Sequence, residues 1–187
     1  MEIIEKYIKF VKKWEGGLSR DKNDSASSFP CPTPYNGKTG WHTNAGITYA
    51  AWVKFYGNTK DADFYRMPSD MWFQIFKKGY WDKVKGDAYN SQNIAAFVTG
   101  MAWGSGVKQA GISLQRVLNF LGDEVAIDGV IGNQTILAAN SVPPRELFDA
   151  LANERERFFY AIGTGNNAKF LKGWLNRLED YKKTFRP

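Results

Sequence analysis

A chain of 187 residues with a formal net charge of +6 and a pI near 9.3 suits one domain, or one with a small extension, and is long enough to bury about two-thirds of its unfolded surface without covalent staples. A single cysteine excludes an internal disulfide framework, and one cysteine with one histidine excludes the common zinc sites. The positive charge favours an anionic partner such as nucleic acid, a membrane surface or an acidic polymer, but Lys12-Lys13, Lys77-Lys78 and Lys182-Lys183 are only short clusters, so the long basic tract of a nucleic-acid binder is missing.

Along the chain, Ile4, Tyr7, Ile8, Val11 and Trp14 recur at helical spacing, with Lys9, Lys12 and Lys13 on the other side, and predict an amphipathic first helix. Gly16-Gly17 is its stop signal, which puts Glu15 on the last turn or just past it. From Leu18 to Thr48, Ser, Asn, Asp, Gly and Pro dominate; loops are expected, with Trp41 to Thr48 the best strand candidate. Helical patterns resume at 49–55, 68–78, 93–103, 108–121, 133–140, 145–162 and 168–181, with Asn133 expected as an N-cap. The fold class expected is mainly α, with a small loop and β-hairpin insertion near the N-terminus, and Gly122 to Gly132 could set off a C-terminal part. Glu2 and Glu5 stand where a leader peptide would be basic, and no stretch reaches the roughly 20 apolar residues of a membrane span.

Seven Trp, nine Tyr and thirteen Phe exceed the needs of a core this size. Some rings are therefore expected to line a groove for sugars or other flat ligands, although any one of them more often belongs to the core. Cleaving a glycosidic bond takes one carboxylic acid that holds its proton and, usually, a second carboxylate that is ionised. Glu15 suits the first role: Trp14, Gly16, Gly17 and Leu18 around it carry no charge, and two glycines leave room for a bulky polymer. Asp21 and Asp24 lie in the polar segment that follows. A Cys31/His42 nucleophilic pair is conceivable but lacks an orienting third group.

Trp14-Glu15-Gly16-Gly17, followed by Thr43-Asn44-Ala45-Gly46-Ile47-Thr48, resembles the motif of glycoside hydrolase family 108, the N-acetylmuramidases of phage endolysins and related bacterial proteins. The resemblance continues in Trp103-Gly104-Ser105-Gly106, Leu114-Gln115, Ile127-Asp128-Gly129-Val130-Ile131-Gly132 with Thr135, and Gly173-Trp174-Leu175-Asn176-Arg177, and so spans nearly the whole chain. Each motif alone is weak; their order is what is specific. The resemblance implies a lysozyme-like catalytic part at 1–106 and a helical part at 107–187 resembling a peptidoglycan-binding module, packed into the same globule.

It also implies Glu15 as the catalytic acid. Asp24 stands nine positions later, as in phage-type lysozymes, and Thr43 would be their threonine, displaced by extra residues. Asp24-Ser25-Ala26-Ser27 departs from the family's Asp-Pro-Gly-Gly, and Gly100 stands where relatives carry an Asp. Plainer readings exist: Asp24 as a turn former, Thr43 as a strand residue, Asp128-Gly129 as a tight turn before a helix. Trp41, Tyr49, Trp103 and Ser105 are the expected substrate contacts. The expected activity is cleavage of β-1,4 bonds of peptidoglycan, with no metal or other cofactor, no nucleic-acid partner, no membrane insertion and a monomeric state. The chain would wait in the cytoplasm until released to the wall. A non-catalytic wall-binding or secretion-assisting protein on the same scaffold is the alternative, and a nucleic-acid binder is supported only by charge and aromatic content.

Overall fold

The computed structural model describes residues 2–187. Helices dominate, with one two-stranded hairpin near the N-terminus, as the sequence predicts. No helix among the described residues is long and apolar enough to cross a membrane. The chain packs as two compact units: one is Ile8–Gly79, the other joins the residues up to Tyr7 to Tyr80–Pro187. The boundary at Tyr7–Ile8 falls within the first helix, α1 (Glu2–Trp14), which buries Tyr7, Phe10 and Val11 and exposes Lys9, Lys12 and Lys13.

In the Ile8–Gly79 unit, an irregular segment leads from α1 to β1 (Thr43–Asn44), which pairs antiparallel with β2 (Ile47–Thr48). Three helices follow: α2 (Tyr49–Tyr56), α3 (Asp61–Arg66) and α4 (Ser69–Phe76). Thr48 ends β2 and caps α2, its Oγ1 accepting the Ala51 N–H at 3.2 Å. Trp52, Phe64, Trp72, Ile75 and Phe76 form the core of this unit. The short α3 has no counterpart in the sequence reading, because six residues beginning Asp-Ala-Asp carry too little apolar repeat to declare a helix. The expected 68–78 helix ends at Phe76 and passes into a wider turn over Lys77–Trp81.

In the other unit, α5 (Gln92–Ser105) lies at the centre, against α6 (Val107–Phe120), α8 (Pro144–Ile162) and α9 (Ala168–Phe185). It is apolar on every side, buries Ile94 to Thr99 together with Met101 and Ala102, and is accordingly sheathed by other helices. Phe97 meets Phe148 of α8 and Tyr181 of α9 edge to face, with ring centres 4.9 and 5.0 Å apart. Between α6 and α7 (Asn133–Ser141) runs the Asp-Gly-x-x-Gly segment. It lies directly on α6: a Cβ on Gly111 would sit 2.3 Å from Gly129 O.

One turn further along α6, Gln115 organises that segment. Its amide donates to Asp128 Oδ1 at 2.8 Å and to Val130 O at 3.0 Å, and its oxygen accepts the Gly129 N–H at 2.8 Å. The tight-turn reading of Asp128-Gly129 thus describes the local structure, and the Val130 N–H together with the Gln115 amide, both donating to Asp128 Oδ1, hold that carboxyl below its ordinary range. Asn133 is the first helical residue and Gly132 the cap; the Asn133 side chain instead accepts from Lys85 Nζ at 2.7 Å. Gln115 is 1 % exposed, and its loss would strand the buried Gly129 N–H. Gln115→Ala is therefore expected to lower stability by about 1–3 kcal/mol, measured by urea unfolding, with faster amide exchange over residues 128–130.

Candidate active site

Glu15 follows α1 directly. Its amide donates to Val11 O at 2.8 Å, continuing the helical pattern one residue past Trp14. The chain then departs through Gly16 and Gly17, both exposed and both open where a side chain would stand. Glu15 itself is half-buried, and what lies against its carboxyl is the tip of the hairpin. A Cβ built on Gly46 would fall 2.8 Å from both Glu15 Cδ and Oε2.

The tip is a two-residue connection, Ala45 at φ 47° and Gly46 at φ 77°, the left-handed pair of a type I′ turn. Glycine is thus required at position 46 twice, by the backbone angle and by the carboxyl beside it. Neighbouring groups hold the turn. Asn44, buried, donates to Phe64 O at 2.7 Å and to Tyr65 O at 3.0 Å at the end of α3, and Trp72 Nε1 of α4 donates to Ala45 O at 3.0 Å. Asn44 and Gly46 belong to the Thr43–Thr48 motif without a task of their own in the sequence, where the short spacing between β-prone residues is the signal for the turn they build.

The segment after Glu15 is laced to the same hairpin. Ser19 N donates to Thr43 O at 2.8 Å, and His42 N donates to Ser19 O at 3.0 Å. Thr43 is half-buried and its Oγ1 lies 2.9 Å from His42 Nδ1. The His42 ring is fully buried, with Nε2 3.1 Å from Asp21 O. Both ring nitrogens are therefore engaged away from Cys31, whose thiol bonds the Tyr65 hydroxyl and is pushed up by burial. The conceivable Cys31/His42 pair is not formed.

The other expected residues are placed as follows. Asp24 is exposed, and its Oδ1 accepts the Ala26 N–H at 2.9 Å, capping a short 3-10 turn at Ser25–Ser28. Trp41 is half-buried, donates through Nε1 to Tyr35 O at 3.3 Å, and carries the Arg20 guanidinium 5.5 Å above its ring. Tyr49 is 2 % exposed and donates to Asp61 Oδ1 at 2.6 Å. Those are the surroundings of a core residue, and burial with the Asp61 carboxylate pushes its hydroxyl up. Asp61 also accepts from Thr33 Oγ1, so it ties the proline-rich loop to α2; the sequence reading did not single it out.

Trp103 and Ser105 belong to the other unit, on the last turn of α5. Trp103 is half-buried and packs against Tyr80, ring centres 4.8 Å apart. Ser105 Oγ accepts from Arg155 Nη1 at 2.8 Å. Arg155 is buried, its guanidinium 4.3 Å from the Phe159 ring centre, and desolvation together with the Arg177 charge lowers its pKa to about 10.

Comparison with known proteins places this arrangement. Residues 8–106 match the family described as glycosyl hydrolase 108, and residues 109–179 match a predicted peptidoglycan domain. The break between the two matches falls where α5 passes into α6, although both helices pack within one compact unit. Among solved structures, SagA of Brucella abortus superposes with a TM-score of 0.74 at 25 % identity, covering 96 % of this chain and 91 % of that one. Curated protein sequences include no match. A family match over more than half the chain, with Glu15 and the Thr43–Thr48 hairpin inside it and a peptidoglycan domain after it, identifies the chain as a member of glycosyl hydrolase family 108 and a peptidoglycan hydrolase.

Proposed function

We propose that this hydrolase is a lysozyme-type N-acetylmuramidase that cuts the β-1,4 bond between N-acetylmuramic acid and N-acetylglucosamine, with Glu15 as general acid. The observation that carries the reading is the Glu15 carboxyl at a helix end, half-buried against a turn that has no side chain there and beside two glycines open on their outer sides. A polymer chain can approach such a carboxyl, while the hairpin fixes its position. Glu15 gives its proton to the leaving glycosidic oxygen as positive charge develops on the sugar ring. Asp24 and Thr43 supply the second half of the reaction: the carboxylate stabilises the oxocarbenium-like state, or helps the threonine hydroxyl to hold the attacking water. The basic chain suits an anionic wall.

Purified peptidoglycan sacculi provide the test. Wild-type protein is expected to clear them and to release fragments whose new reducing ends are muramic acid, detected as muramitol after borohydride reduction. Glu15→Gln is expected to lose at least about 100-fold in rate while still binding sacculi. Equal clearing by both proteins, or glucosaminitol in place of muramitol, contradicts the proposal; binding without clearing by the wild type points to a wall-binding protein.

Gly46→Ala probes the support of the acid. The left-handed backbone costs about 1–2 kcal/mol, read by thermal unfolding, and the new methyl displaces the Glu15 carboxyl. Turnover is expected to fall about 100-fold, far more than the loss of stability accounts for in a protein that remains folded.

A further inference from the structure

The sole histidine of the chain is fully buried, and its two ring nitrogens have different partners. Nε2 lies 3.1 Å from Asp21 O. A carbonyl oxygen can only accept, so Nε2 carries the hydrogen. In the neutral ring Nδ1 is then a lone pair, and the Thr43 hydroxyl, 2.9 Å away, must be the donor. The hydroxyl has one proton, and that proton is directed at His42. What Thr43 offers on its solvent side is oxygen lone pairs only. Rotation of the hydroxyl would forfeit the bond and leave a buried ring nitrogen without a partner.

We propose that His42 is a positioning residue: it fixes the Thr43 hydroxyl as an acceptor, so that Thr43 holds a hydrogen-bond donor, the attacking water, in one orientation. This rests on the muramidase reading above. One hydrogen of the water points to Thr43 Oγ1 and stays on the oxygen, which becomes the hydroxyl of the new reducing end. The other hydrogen passes to Asp24, the second carboxylate of that reading. Thr43 keeps its own proton throughout. The Asp21 anchor explains why the ring cannot turn to donate instead, and the backbone bonds of Ser19 to Thr43 and of His42 to Ser19 keep the ring and the hydroxyl in register.

Because the chain has a single histidine, ring-¹⁵N NMR of the wild-type protein at the pH of activity reads the tautomer without ambiguity. Nε2 is expected to be protonated and Nδ1 to be a bare acceptor; the opposite tautomer, or both nitrogens protonated, overturns the proposal. Kinetics supply the second arm. His42→Gln keeps an amide near Nε2 for the Asp21 anchor and removes the acceptor of Thr43. His42→Asn keeps an acceptor near Nδ1 and gives up the anchor. Thr43→Val and His42→Gln are each expected to lower kcat about tenfold or more with KM little changed, and the double variant to be no slower than Thr43→Val alone.

His42→Asn is expected to lose thermal stability yet restore most of kcat. A His42→Gln enzyme at wild-type kcat, a Thr43→Val enzyme at wild-type kcat, or losses that add in the double variant each overturn the proposal. Should Glu15→Gln also clear sacculi, it is the muramidase reading that has failed; if Glu15→Gln is inactive while His42→Gln and Thr43→Val are not, only the role of His42 has.

Discussion

The carboxyl of Glu15 rests on a piece of backbone that has no Cβ. Gly46 lies so close that a methyl group there would stand 2.8 Å from Oε2, and its φ of +77° belongs to a turn that ordinary residues adopt only under strain. The end of α1 and the tip of the hairpin therefore fix one another. Three ties hold the hairpin there: Asn44 binds it to α3, Trp72 binds the turn to α4, and the Ser19–Thr43 bridge binds the segment after Glu15 to the strand. A half-buried acid positioned by packed helices is precise, where one on a free loop would be mobile.

The other unit uses the same device for a different purpose. Gln115 on α6 makes three hydrogen bonds to the Asp128–Val130 segment, and Gly111, one turn away, lets that segment lie on the helix. In each unit a side-chain amide donates to two carbonyl or carboxylate oxygens and so ties a turn to its neighbours. Around Glu15 this holds the hairpin turn against the carboxyl. In the peptidoglycan domain it shapes the loop before α7.

The helices were legible in the sequence because their apolar spacing is long and regular. α5, α6, α8 and α9 begin and end within a few residues of the positions that spacing suggests. The failures are local and physical. α3 is too short to show a period, and Asn133 is the first residue of α7 with Gly132 at the cap position, its side chain bonded to Lys85 instead. The place of Glu15 at the end of α1 could be read because a double glycine after an amphipathic repeat is visible in one dimension. Tyr49 could not: it was expected against a sugar, and whether a tyrosine stacks on a ligand or bonds a buried aspartate depends on Asp61, twelve residues away. His42 escaped for the same reason. Its value lies in two bonds, one to Asp21 twenty-one residues earlier, and no spacing rule announces a carbonyl as a partner.

A structure of the Glu15→Gln protein with a bound muropeptide oligomer would test the central claim most directly. The account predicts an uncleaved glycosidic oxygen within about 3 Å of the side-chain amide at position 15, with the sugar chain passing over Gly16, Gly17 and the Ala45–Gly46 turn. A glycan seated elsewhere on the protein, with residue 15 covered or facing away from it, would contradict the account.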